Sequence, residues 1–180
     1  DEVRVYPLSF SEYVSAYPGD PYDAWLDYYT YGGLPLILSR KTDELKAGYL
    51  ISLCQELYLK DIENRHNLRG DNVMSSLLNV LASAVGSLTN PTKLANTFRS
   101  NGVPISDKTI GAYISYLLDA FFIHKAERYN IKGKRYIASP FKYYFTDVGL
   151  RNAQLNFRQQ EETHIMENIL YNELRSEERR

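Results

Sequence analysis

Three observations predict a mainly α chain with a small β part, an α+β fold. Apolar residues recur at three- and four-residue steps over most of the length, helix-capping residues precede those runs, and short aromatic-rich runs fall in the second half. The third observation sits in residues 90–145, which divide into a short helix, a tight turn, a longer helix and a basic β-hairpin. That order predicts a winged helix-turn-helix, preceded by a helical region and followed by a C-terminal helix.

Val3, Val5 and Leu8 alternate with polar neighbours and read as a strand that needs a partner. Residues 10–17 form a short helix capped by Ser9 or Ser11, which Pro18-Gly19-Asp20-Pro21 breaks. Asp20 caps the next helix, with Pro21 in its first turn, and this one stops at Gly32-Gly33-Leu34-Pro35. Its Trp25, Tyr28 and Tyr29 read as packing residues. From residue 42 to about 64, Leu45, Tyr49, Leu53 and Leu57 line one face of a long amphipathic helix, with Cys54, Tyr58 and Ile62 beside them. Asp61 and Arg65 stand four apart, the spacing of a helical ion pair.

Residues 71–87 carry Val73, Leu77, Leu78, Leu81 and Val85 and supply the first helix of the winged unit. Asn90 and Pro91 then open its second helix, and Asn101-Gly102 supplies the left-handed geometry that ends it. Ser106 caps the third, whose Ile110, Ile114, Leu117 and Phe121 make a core face. Residues 122–129 and 135–137 read as the strands of a hairpin around the loop 130–134. A further strand is expected over 142–150, ending in an acidic turn, and a last helix over about 161–178 with Ile165, Ile169, Leu170 and Leu174 on one side. The expected divisions are 1–70, 71–146 and 147–180.

Charge separates the two halves. Residues 1–63 hold eleven acids against five bases, and residues 90–152 hold ten bases against four acids. The excess of cations coincides with the helix-turn-helix, which makes double-stranded DNA the expected partner. Helix-start positions Ser106, Lys108, Thr109 and Ala112 would face the major groove, with Lys132, Lys134 and Arg135 on the wing and Lys93 and Arg99 against phosphates. One lysine and no arginine on that helix argue against base reading. Winged helices also serve as protein-interaction modules. Sixteen tyrosines and the acidic first third favour that rival reading, an oligomerisation or protein-binding module.

Enzyme chemistry is poorly represented. No phosphate-binding glycine loop ending in Lys-Ser/Thr, no GxSxG, no HExxH and no CxxC occurs, and His66, His124 and His164 are scattered. The single Cys54 reads as a buried small hydrophobe, and no basic-then-apolar leader or run of about 18 apolar residues is present. The expectation is a cytoplasmic protein outside the membrane.

Several short stretches together resemble a known family: Val5-Tyr6-Pro7-Leu8-Ser9-Phe10, Tyr31-Gly32-Gly33-Leu34-Pro35, Ile105-Ser106-Asp107-Lys108-Thr109, Ile131-Lys132-Gly133-Lys134-Arg135-Tyr136 and Tyr144-Phe145-Thr146-Asp147-Val148-Gly149. They are similar to prokaryotic AAA-type ATPases that carry the domain of unknown function 4143. The resemblance implies that the chain is a C-terminal fragment, with residues 3–8 ending an ATPase core that lies upstream and residues 9–70 forming a lid-like region. It implies ATP and Mg²⁺ for the full-length protein, none for the fragment, and the protein's own ATPase domain as a partner. It also implies that the last helix begins a truncated nuclease-like domain, where Glu167 matches a Mg²⁺-binding acidic position. The Asp and Glu-x-Lys motifs that would complete such a site do not follow, so the fragment is expected to be inactive and to couple ATP-driven changes to DNA. A fragment of a Mg²⁺-dependent nuclease is the enzyme-class alternative.

Overall fold

The computed structural model describes residues 5–68, 72–127, 140–158 and 161–177. Helices dominate them, joined by one small antiparallel sheet and closed by a C-terminal helix. Each helix begins where a side chain can satisfy the free amides of its first turn. α1 (Phe10–Ala16) starts on a capping box in which Ser9 accepts from Glu12 N and Glu12 accepts from Ser9 N. α2 (Pro21–Tyr31) starts on Asp20, which accepts from the amides of Tyr22 and Asp23. Thr42 caps α3 (Asp43–Ser52), Asn90 caps α6 (Pro91–Ser100), and Ser106 caps α7 (Asp107–Asp119).

The expected helix from residue 42 runs on to 66 with an internal irregularity. α3 passes into a π-helical segment, Leu53–Leu59, and then into α4 (Lys60–His66), which ends at Asn67 in the left-handed region with φ 55°. Asp61 and Arg65 form the expected ion pair at 2.7 Å. α5 (Val73–Ser83) is shorter than expected, because the chain turns at Ala84–Gly86 toward the sheet.

That sheet pairs β1 (Ile123–Ala126) with β2 (Lys142–Phe145), in the register Ile123↔Phe145 and His124↔Tyr144. The hairpin partner expected at 135–137 and the loop 130–134 lie outside the described residues. The separate strand expected over 142–150 is instead the second strand of this sheet, and it stops at Thr146. Asp147 ends it by accepting from Leu150 N at 3.1 Å, which starts a helix the sequence reading missed, α8 (Val148–Gln154). Outside β2, Phe141 and Thr89 exchange both backbone hydrogen bonds at 2.8 Å, and Gly86 N donates to Tyr143 O. α9 (Glu162–Glu177) crosses the sheet, and Asn168 holds both the N–H and the C=O of Phe145. The strand expected at residues 3–8 pairs with no strand over its described part; Leu8 N donates to Gly33 O instead.

One cluster of buried side chains runs from Tyr13 through Leu50, Leu77, Ile110 and Phe122 to Ile165. Cys54 belongs to it; burial pushes its thiol up to about 12, and it donates to Gln154 Oε1. The tightest contact joins the end of α2 to the β2–α8 corner. Asp147, buried, accepts from Gly33 N at 2.7 Å, and a Cβ on Gly149 would overlap the carbonyl oxygen of Tyr31. Gly32, at φ 76°, lies so close that a Cβ there would overlap the Asp147 carboxylate. Burial pushes the Asp147 carboxyl up to about 6, against the opposing pull of amides from Gly33, Leu150 and Gly149. Next to it, buried Arg151 donates to Ala82 O and to Asn152 Oδ1, and Asn152 donates to Thr30 O. No helix among the described residues is long and apolar enough to cross a membrane.

Candidate nucleic-acid interface

α6 and α7 pack through Leu94, Ala95 and Phe98 against Ile110, Ile114 and Leu117, all buried. The chain between them turns at Gly102, and Val103 N reaches back to Phe98 O. This packing fixes which side chains stay outside. On α6 they are Thr92, Lys93, Asn96, Thr97, Arg99 and Ser100, and on α7 they include Lys108 and Ser115, with Ala112 half-buried.

The expected contact residues divide into two groups. Some are committed to their own turns. Lys93 Nζ donates to Leu88 O at 3.1 Å, and Ser106 Oγ accepts from Thr109 N at 3.0 Å while lying 2.8 Å from Thr109 Oγ1. Arg99 holds Asn96 Oδ1 through one nitrogen, at 2.6 Å, and borders an open groove with Gly102, Pro104, Ile105 and Ser106. Lys108 is exposed one residue into α7. The structure therefore brings Arg99, Ser106, Lys108 and Thr109 to one end of the helix pair, with Lys93 at the start of α6. The wing residues Lys132, Lys134 and Arg135 lie outside the described residues.

Of the cations on the sheet, Lys125 pairs with Glu127 at 2.8 Å and lies 3.6 Å over the Phe141 ring. Lys142 pairs with Glu167 at 2.6 Å. Glu167 also accepts from Tyr144 OH, and its carboxylate lies against Gly86, where a Cβ would press on it. Burial raises the Glu167 carboxyl, but the hydrogen bonds from Lys142 and Tyr144 and the Lys142 charge outweigh that and hold it below the usual range. In this position Glu167 ties α9 to β2. Among the described residues no three His, Cys, Asp or Glu side chains are grouped to hold a metal ion.

A second polar pocket, of about 380 Å³, lies between residues 5–9, the β2–α8 corner and the C-terminal half of α9. On its wall Glu173 accepts from Phe10 N and from Tyr28 OH. Sequence reasoning also missed the contact between α4 and α7. The His66 ring stacks flat on Tyr116, centroids 3.5 Å apart and planes 8° from parallel. No local signal could have found it, since it joins residues fifty positions apart.

The chain belongs to the family described as Domain of unknown function (DUF8612), whose profile matches residues 22–161. It is similar to an uncharacterized protein of Haemophilus influenzae, 34% identical over 178 residues, which are 96% of this chain and 44% of that protein. It is also similar to the uncharacterized protein MJ1544 of Methanocaldococcus jannaschii, 27% identical over 149 residues, 83% of this chain and 33% of the relative. The chain thus spans less than half the length of either relative. No solved structure matches.

The family match corrects the resemblance to AAA-type ATPases with the domain of unknown function 4143: the matching profile is DUF8612, and neither relative is described as an ATPase. Two of the five stretches that carried the resemblance have a local explanation. Tyr31-Gly32-Gly33 and Thr146-Asp147-Val148-Gly149 are required by the close approach around Asp147, so they report a packing need rather than a motor.

Proposed function

We propose that residues 72–146 form a winged helix-turn-helix and that the chain binds double-stranded DNA chiefly through phosphates. The order α5, paired Thr89, α6, α7, β1, β2 supports the fold reading. One observation carries the binding reading: across α6 and α7 the exposed charges are Lys93, Arg99 and Lys108 against Asp107 and Asp119, and Asp119 lies at the far end of α7 from Lys108. Amides and hydroxyls fill the remainder, and such groups position a protein on the sugar-phosphate backbone. With Ser106 and Thr109 engaged with each other, α7 has few donors for base edges, so the binding is weakly sequence-dependent.

Fluorescence anisotropy of a labelled 20-bp duplex tests this. With three phosphate contacts, affinity falls about 40-fold between 50 and 200 mM salt. Absence of binding at 50 mM salt sinks the proposal.

A protein-binding reading is favoured by one specific feature. Met166, Leu170 and Leu174 stand four apart along α9 and are 48%, 59% and 59% exposed, an apolar stripe on a helix whose opposite face is packed. A defined oligomer in light scattering, with no DNA binding at low salt, selects it.

A further inference from the structure

We infer that the C-terminal turn of α4, through Arg65 and His66, is part of the same DNA-binding surface and grips the backbone on the side of α7 opposite α6. The inference rests on the DNA-binding reading above and adds an element outside the helix-turn-helix.

The argument is one of position around α7. Gly111 lies against Pro91 at the start of α6, with its Cβ position 4.0 Å from Pro91 Cγ. Tyr116 lies against His66. Five residues separate the two, so at 3.6 residues per turn α6 and α4 meet α7 about 140° apart. The same arithmetic puts Lys108, Ala112, Ser115 and Asp119 inside that arc, and puts Ile110, Tyr113, Ile114 and Leu117 outside it. Burial agrees: Lys108, Ser115 and Asp119 are exposed, and the second set is buried. The exposed strip of α7 therefore runs between two walls. Arg99 stands on the α6 wall, beside Ser106, and Arg65 and His66, both exposed, on the α4 wall.

A helix in the major groove lies between two phosphate ridges about 12 Å apart. Cations on one wall hold one ridge, and cations on both walls hold the helix in the groove without reading bases. Tyr116 lies eight residues beyond Lys108, about 12 Å further along the helix axis, so the α4 cluster engages phosphates that Lys108 does not reach. Arg65 is paired with Asp61, but the pair is exposed, 67% and 48%, and such pairs exchange partners at little cost. The flat stack fixes His66 against α7 while the residue stays exposed.

The experiment measures affinity of the whole chain for a 20-bp duplex as a function of salt. Arg65→Gln is expected to weaken binding and flatten the log K against log salt slope by about 0.9, one phosphate contact. His66→Phe keeps the stack, removes the nitrogens and weakens binding with an unchanged melting temperature. Asp61→Asn releases Arg65 and tightens binding by about threefold. If Arg65→Gln and His66→Phe bind like wild type while Arg99→Gln and Lys108→Gln bind weakly, the inference is overturned and the helix-turn-helix reading stands. If the wild-type chain does not bind at 50 mM salt, both fall.

Discussion

The α2–β2–α8 corner and the α6–α7 surface use the same kinds of polar group in opposite ways. At the corner, Asp147, Arg151, Asn152 and Asn168 are all buried, and each makes at least one hydrogen bond to a residue far away in sequence: Gly33, Ala82, Thr30, Phe145. On the α6–α7 surface the hydrogen bonds run over three to five residues, from Thr109 to Ser106, Arg99 to Asn96, Lys93 to Leu88. The first pattern locks elements together and leaves little for a ligand. The second shapes local turns and leaves charged ends in water, where they can exchange partners.

Changes at the corner should test that contrast most severely. Gly149→Ala places a methyl group against the Tyr31 carbonyl, a backbone atom that cannot step aside, and should cost about 3 kcal/mol or more. Loss of a cooperative thermal transition is the expected result, and a near-wild-type melting temperature would show that the corner is looser than its contacts imply.

Asp147→Asn comes next, at about 1–3 kcal/mol, because the two carboxylate oxygens face the amides of Gly33 and Leu150 and an Asn amide group must confront one of those donors. It also carries a pH signature. The folded carboxyl titrates at about 6, above its value near 4 in the unfolded chain, so between these the folded state holds a proton that the unfolded state has released. This group's contribution is therefore full below pH 4, declines as pH rises to 6 and is flat beyond. Urea titrations from pH 4 to 7 should show that decline in wild type, and Asp147→Asn should remove it.

Glu167→Gln weakens the tie from α9 to Lys142, a half-exposed pair, and should lower stability by about 1 kcal/mol without touching the corner. The smallest effect belongs to the surface. Lys108→Gln should change stability by less than about 0.5 kcal/mol while weakening DNA binding. A comparable loss of stability in Lys108→Gln and Glu167→Gln would erase the contrast between the two regions.

What the sequence disclosed follows the same division. Caps at Ser9, Asp20, Asn90 and Ser106 were legible because each acts on amides two or three residues away. The Asp61–Arg65 pair was legible for that reason too. α8 was not, although Asp147 caps Leu150 N three residues on, because the aromatic run Tyr143-Tyr144-Phe145 reads as strand and carries that reading across Thr146 and Asp147. The partner of β1 is a long-range choice. The tie between Glu167 and Lys142 and the stack of His66 on Tyr116 likewise depend on how separate helices meet, which periodicity along one helix does not encode.

The π-helical segment between α3 and α4 gives this last point a genetic form. A π turn holds one residue more than the α-helix around it needs, so a single residue there can be lost without breaking the helix. Deleting Gln55 would return the segment to α geometry and leave α4 close to its present phase, whereas deleting a residue from the regular turns of α3 would turn everything beyond it by about 100° and draw it back by about 1.5 Å. His66 would then leave Tyr116, and Ile62 would leave the core. The stack of His66 on Tyr116 is therefore sensitive to the loss of one codon in α3 and tolerant of the same loss at the π turn.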